Sequence, residues 1–217
     1  MTEVLKLLRL APDGREGADY RPRVLDLGCG PCEEGDALLA AGARLTCVDQ
    51  DGETNALVRE RIPEAEVVTA DAAQWLAAGR GPYDAVLVRR PDLFHRVRNW
   101  QQVFDLIPAV LAPGGRVVVT TPGRGEARLV ERWLSGYSGT VTEIETGTAE
   151  EGCAIVAENV RKVEAPDGSL RDNERASLVQ SLMWEDDEPA MVCDVRTGKC
   201  TMVSSDGRPD DGQSDSE

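Results

Sequence analysis

The stretch "VLDLGCGPCEEG", residues 24–35, decides how the rest of the chain is read. Val24, Leu25 and Leu27 form a short apolar run that ends at Gly28, the pattern of a buried strand entering a turn. Cys29-Gly30-Pro31-Cys32 is a Cys-x-x-Cys pair of the kind that cycles between thiol and disulfide. Asp26-Leu27-Gly28-Cys29-Gly30 reads instead as a glycine-rich cofactor loop after a strand. Both chemistries suit a strand-to-helix turn, so the flanking chain has to separate them.

Upstream, residues 2–10 place Val4, Leu5, Leu7 and Leu8 at the spacing of a short amphipathic helix. Downstream, "CEEGDALLAAGA" reads as a helix stopped near Gly42 and "RLTCVDQ" as a second strand. "GETNALVRERI" is a second helix, ending before Pro63. "AEVVTAD" is a third strand, "AAQWLAA" a short helix and "YDAVLVR" a fourth strand. In "NWQQVFDLIPAVL", Val103, Phe104, Ile107, Val110 and Leu111 share one helical face. "GGRVVVTTP" and "GEARLVERWLSGY" complete a fifth strand and helix, and "TVTEIETG" and "GCAIVAENV" are two strands with no room for a crossover helix between them. Strands alternating with helices predict a mostly parallel sheet covered on both faces, with the last two strands antiparallel at one edge.

That repeat closes near residue 160 and separates the two readings of the opening stretch. Thioredoxins are short and mix parallel with antiparallel strands, and the tryptophan usual before their motif is Leu-Gly here. A pyrophosphate loop of GxGxxG type is also disfavoured. The series runs Gly28, Gly30, Glu33, so the third glycine is missing and a carboxylate would face the phosphates. The Gly-Lys-Ser/Thr of a P-loop is absent.

Composition narrows the partners. The 217 residues carry a formal net charge of −15, which argues against a surface that grips nucleic acid or an anionic membrane. The first residues lack the charged start and apolar run of a signal peptide, and no stretch approaches the ~18 apolar residues of a membrane span. Six cysteines in a chain of this length do not suggest a secreted disulfide framework, so a cytoplasmic protein with reduced thiols is expected. Beyond the domain over 1–160, residues 161–217 hold seven basic and fourteen acidic residues. An extension over 161–203 is expected, with a short helix in "ERASLVQSLMW" and a hairpin of "AMVCDV" and "KCTMVS" around "RTG", then an acidic disordered tail over 204–217.

"VLDLGCG", then "VDQD", "ADAAQW", "YDAVLV" and "LAPGGRVVVTTP", in that order over roughly residues 1–160, resemble the class I S-adenosylmethionine-dependent methyltransferases. The resemblance implies an α/β fold: a doubly wound, mostly parallel seven-stranded Rossmann-like sheet with an antiparallel C-terminal hairpin. It also implies S-adenosyl-L-methionine as cofactor. Carried onto this chain, the cofactor residues are Asp26, Gly28, Gly30, Asp49, Gln50, Asp71, Ala72 and Val88. Asp26 is expected to meet the ammonium, directly or through water. Asp49, at a strand's carboxyl end, is expected to accept the ribose hydroxyls. Asp71 with Ala72 is expected at the adenine edge. Capping the following helices is the alternative use of Asp49 and Asp71.

Acceptor contacts in this family commonly come from the loop after the fourth strand, here "RRPDLFHRVRNW", residues 89–100. It lacks the Asn/Asp-Pro-Pro-aromatic sequence of many nitrogen methylases and the aspartate that holds magnesium in catechol-type relatives, so no metal is expected. Arg89, Arg90, Arg96 and Arg98 cluster in it, and Arg124 comes from the next strand's loop. Such arginines suit a carboxylate or phosphate, or else pair with the protein's surplus acids. Arg89, Arg90, Asp92 and Arg124 are the candidate acceptor contacts, and His95 and Arg90 the candidate catalytic residues. His95 is the only histidine, and histidine is the residue type suited to general-base work near neutral pH; a solvated loop side chain is its plainer role. Phe94 and Trp100 either stack on an aromatic acceptor or pack helices. Pro91-Asp92 and a later aromatic are shared with tRNA guanine-N7 methyltransferases, but the flanking Phe and second Pro are not, so tRNA is a minor alternative.

The expected function is methyl transfer from S-adenosylmethionine to an unidentified acceptor, a small anionic molecule or a protein side chain. The alternatives are a binding protein that keeps the fold without turnover, and a nicotinamide-dependent oxidoreductase. Cys193 and Cys200 flank the last turn as ordinary small residues, since a zinc site there lacks two ligands.

Overall fold

The computed structural model describes residues 3–10, 20–135, 137–145, 152–162, 190–193 and 200–203. The chain divides into two compact units, Met1–Gly168 and Ser169–Glu217. In the first, helix α1 (Glu3–Leu8) precedes alternating elements: β1 (Arg23–Leu27), α2 (Gly35–Ala40), β2 (Arg44–Asp49), α3 (Gly52–Arg61), β3 (Glu66–Thr69), α4 (Ala72–Ala77) and β4 (Tyr83–Arg89). Then follow α5 (Val97–Val110), β5 (Leu111–Thr121), α6 (Arg124–Ser135), β6 (Tyr137–Glu145) and β7 (Cys153–Lys162).

The seven strands form one sheet in the order β3-β2-β1-β4-β5-β7-β6. β1 to β5 pair in parallel, while β7 lies antiparallel to both β5 and β6. The chain order reverses beside β1, and the crevice beyond the strands' carboxyl ends at such a switch point is where open α/β sheets bind ligands. The central strands are apolar because both faces are covered: Val24, Leu25, Val86, Leu87, Val88, Val117, Val118 and Val119 are fully buried.

Element boundaries follow local chemistry. Asp51 accepts from the backbone N–H groups of Glu53 and Thr54 and so caps α3, and the Thr54 hydroxyl, with these N–H groups, holds its carboxyl below the usual range. Val103, Phe104, Ile107 and Val110 line the buried face of α5 as their spacing predicts. Leu111 departs from that expectation: the helix stops at Val110, and Leu111 opens β5 ahead of Pro113-Gly114-Gly115. The helix expected from Cys32 starts only at Gly35, because Cys32 has φ of +50°, outside the helical region.

In the second unit, β8 (Ala190–Cys193) pairs antiparallel with β9 (Cys200–Val203), placing Cys193 opposite Cys200 in the backbone register. The helix expected in "ERASLVQSLMW" and the tail over 204–217 lie outside the described residues. No helix among the described residues is long and apolar enough to cross a membrane.

Candidate cofactor and acceptor site

The glycine loop is stitched to the end of the neighbouring strand. The N–H groups of Gly28 and Cys29 both donate to the Val48 carbonyl, at 2.8 and 3.3 Å. Gly28 and Gly30 hold φ of +65° and +49°, a region that favours glycine. Gly28 has a second reason to be glycine: a Cβ there would stand 2.9 Å from Cη2 of Trp100. Trp100 reaches the loop from α5, and its ring also packs on Phe104, with centroids 6.4 Å apart.

Asp49 is the last residue of β2, and both its oxygens are fixed by backbone. Oδ2 accepts from Gly30 N–H at 3.0 Å and Oδ1 from Asp51 N–H at 2.9 Å. A carboxylate offers about four lone-pair sites, so two protein donors leave capacity for a diol. The alternative capping role falls to Asp51, not to Asp49. Asp71 does cap its helix, with Oδ1 accepting from Gln74 N–H at 3.0 Å, while Oδ2 accepts from Asn99 Nδ2 at 3.3 Å. Ala72 opens α4, half-buried, and Gln50 is exposed after β2. Val88 is fully buried in β4, level with Leu27 of β1.

Asp26 is 1% exposed, and its Oδ1 has no hydrogen-bond partner among the described residues. Burial pushes its carboxyl up to about 7, against the opposing pull of Arg89 and of the Cys32 thiol. It faces Cys32 within the protein, so an ammonium in the crevice meets it only if the loop opens or a water intervenes.

On the acceptor side, Arg89 and Arg90 converge on one carboxylate. Glu33 Oε2 lies 2.8 Å from an Arg89 nitrogen and 3.5 Å from an Arg90 nitrogen. The Arg89 side chain is 13% exposed and that of Arg90 is 42% exposed. Arg90 also holds φ of +43°, a left-handed backbone for a non-glycine residue, at the strand's carboxyl end. His95 is tied to Asp92 twice, N–H to Oδ1 and Nδ1 to Oδ1, both at 3.0 Å. The first of these contacts contributes most to holding Asp92 below the usual carboxylate range. The His95 side chain is 76% exposed, with the exposed Phe94 ring set edge-on 5.1 Å away. Arg96, Arg98 and Arg124 are exposed.

The chemistry of this donor set fits S-adenosylmethionine. It offers the Asp49 carboxylate where a diol needs an acceptor, and Glu33 where a phosphate would be repelled. A cleft of about 630 Å³ opens at the opposite, amino-terminal ends of β1 and β2, but its wall mixes Arg23 and Arg44 with Glu66.

Sequence reasoning missed three participants. Glu33 registers there only as a lost glycine, yet it anchors the arginine pair. Asn55, wholly buried, donates to the Asp49 carbonyl at 2.9 Å and to Thr69 Oγ1 at 3.0 Å, locking the ends of β2 and β3. Its polar side chain amid "NALV" was the available signal. Asn99 meets Asp71 from another element, which no local pattern announces.

Residues 24–115 match the family described as "Methyltransferase domain". The chain is 38% identical over 107 residues to a trans-aconitate 2-methyltransferase of Paracidovorax citrulli, covering 46% of this chain and 38% of that one. It is 36% identical over 107 residues to the enzyme of that name from Delftia acidovorans, covering 46% and 37%. The chain thus spans under two fifths of these relatives' length. Among solved structures, N-methyltransferase NodS of Bradyrhizobium japonicum in complex with S-adenosyl-L-homocysteine superposes with a TM-score of 0.53 at 19% identity, covering 72% of this chain and 84% of that one. Residues 24–115, which carry the glycine loop and the acidic end of β2, are thus similar in sequence to methyltransferase domains, and the sheet is similar in fold to S-adenosylmethionine-dependent methyltransferases.

Proposed function

We propose that the domain binds S-adenosylmethionine beyond the carboxyl ends of β1 and β2 and transfers its methyl group to a small carboxylate-bearing acceptor at the β4–α5 loop. The observation that carries this reading is Asp49, held by two backbone N–H groups at the switch point of the sheet with acceptor capacity to spare. Support for the acceptor comes from the arginine pair and from the similarity to trans-aconitate 2-methyltransferases.

When bound, S-adenosylmethionine supplies a methyl carbon already activated by its positive sulfur, so the protein's share is orientation and exclusion of water. Gly28 and Gly30 let the backbone come close, and Asp49 fixes the ribose. Arg90, the more exposed of the pair, meets the acceptor, while Arg89 and Glu33 hold it in place. A guanidinium carries five donors in a planar fork, so a second carboxylate can join the one from Glu33. A carboxylate acceptor is already ionised at neutral pH and needs no base. His95, set by Asp92, then positions the acceptor and is not required to take a proton.

Calorimetric titration of the full chain with S-adenosylhomocysteine tests the cofactor half. The wild type is expected to bind, and Asp49→Ala to bind at least a hundredfold more weakly with its far-ultraviolet circular dichroism unchanged. Unaltered affinity in the variant ends the ribose assignment. Methyl ester formation on trans-aconitate, used as a tricarboxylate probe, tests the acceptor half; cofactor binding without turnover on it removes that acceptor alone.

A further inference from the structure

Beneath the glycine loop, three groups meet that methyl transfer leaves largely unused, Asp26, Cys32 and Cys47, with Cys29 on the loop beside them, all buried. Topology assembles them. Asp26 and Cys47 are register partners on β1 and β2, and the positive φ of Cys32 turns the chain just after the loop. Sγ of Cys32 lies 3.1 Å from Sγ of Cys47 and 3.7 Å from Oδ2 of Asp26. The ligand atoms of Asp26, Cys32 and Cys47 all fall within 4.8 Å of one another. Cys29, three residues before Cys32, lies outside that close group and has to turn inward to join it.

Buried cysteines commonly serve as small apolar filler. Two observations go beyond filler. The sulfur pair is closer than the about 3.5–4.0 Å at which even carbon atoms settle. The carboxylate packed against it keeps an oxygen, Oδ1, with no hydrogen-bond partner among the described residues, an arrangement that a dry core penalises unless something binds there.

We propose that Cys29, Cys32 and Cys47, with Asp26 as fourth ligand, form a site for one thiophilic divalent cation of the zinc type. Three sulfurs and one oxygen are a tetrahedral donor set. With bonds of about 2.3 Å to sulfur and about 2.1 Å to oxygen, its edges are about 3.8 Å between sulfurs and about 3.6 Å from sulfur to oxygen. The Cys32–Asp26 separation of 3.7 Å already matches. The Cys32–Cys47 pair has to open by roughly 0.7 Å when the ion binds. Binding releases the three thiol protons to solvent, and the positive charge offsets the thiolates in a site with Arg89 close enough to act on Asp26. The site is independent of the methyl-transfer reading, and its occupation fixes Cys29 and Cys32 on either side of Gly30.

The test is a cobalt(II) titration of the reduced, chelator-stripped full chain, read by absorption. Expected are one equivalent of tetrahedral d–d bands with thiolate charge transfer, reversed by zinc, and release of about three protons. Cys32→Ser and Cys47→Ser should each weaken binding at least a hundredfold, whereas the double variant Cys193→Ser/Cys200→Ser should keep it. Circular dichroism and S-adenosylhomocysteine binding on the same samples show that the variants are folded. Absence of the bands in reduced wild type overturns the proposal. So do bands that survive Cys32→Ser and Cys47→Ser, or a mass lower by two hydrogens showing that Cys32 and Cys47 join as a disulfide in preference to taking metal.

Discussion

The two sides of the crevice are built on opposite principles. On the β1–β2 side the working groups are wholly or partly buried and packed into the fold: Asp26 is sealed, half-buried Asp49 is fixed by two N–H groups, and Gly28 lies against an indole. On the β4–α5 side they are wet and held by other side chains: Arg90 by Glu33, His95 by Asp92. A packed, largely buried cradle suits an unvarying ligand, while an exposed, charge-held rim suits an acceptor that varies among relatives. Damage on the first side should therefore be severe and affect both folding and binding. Damage on the second should be mild and confined to the acceptor.

The strongest expected contrast concerns acid on the buried side. In the unfolded chain Asp26 ionises near 3.8, and in the fold near 7. Between those values the unfolded state releases a proton that the native state keeps, so stability falls as the pH rises. It is greatest below about pH 4 and reaches its floor above about pH 7, a span on the order of 4 kcal/mol. Urea unfolding of chelator-treated protein across that range should show the decline, and Asp26→Asn should flatten it. A wild-type curve already flat over this range would mean that the carboxylate is solvated and that the two sides differ less than their burial suggests.

Gly28→Ala sharpens the same contrast at a smaller scale. The new Cβ sits at φ of +65° and 2.9 Å from the Trp100 ring, adding backbone strain to overpacking. Together these are expected to cost about 2–3 kcal/mol of stability and most of the cofactor affinity. Removing the ring as well, in Gly28→Ala/Trp100→Ala, should restore binding in part if the clash dominates, and none of it if the backbone does. A single variant as stable as wild type would show that the loop is not held as tightly as its contacts indicate.

These two sides were also unequally legible in the chain. Each strand end on the cofactor side carries its own punctuation, such as Leu27-Gly28 or Val48-Asp49, because a parallel sheet repeats one local device at every βα turn. The mostly parallel sheet and its antiparallel edge followed from apolar runs and connection lengths, but the order of its strands did not. What stayed hidden depends on pairs distant in sequence. Glu33 meets Arg90 across 57 positions and Cys32 meets Cys47 across 15. Only the placement of β1 between β2 and β4 brings them together. Local reading also assigned Leu111 to the end of a helix, since an apolar residue continues either period and only the Pro-Gly-Gly that follows decides.

Arg90→Ala probes the exposed rim. Loss of one partly exposed charged contact to a carboxylate is worth about 1.5 kcal/mol, so KM for a tricarboxylate probe should rise roughly tenfold. S-adenosylhomocysteine affinity should be unchanged, because Arg90 belongs to the other side. Equal loss of both would place Arg90 in the cradle and erase the division.

His95→Ala is the mildest and the most discriminating. Its side chain is 76% exposed, and its ring nitrogen meets the Asp92 carboxylate beside it. A carboxylate acceptor brings its own negative oxygen, so removing the imidazole should lower kcat less than threefold and leave the shape of the pH–rate profile intact. An acceptor that must lose a proton would behave otherwise, with kcat falling by about a hundredfold or more and the acidic limb of the profile vanishing. The same substitution thus separates an acceptor that arrives ionised from one that needs a base, because only the second makes the rim a partner in bond formation.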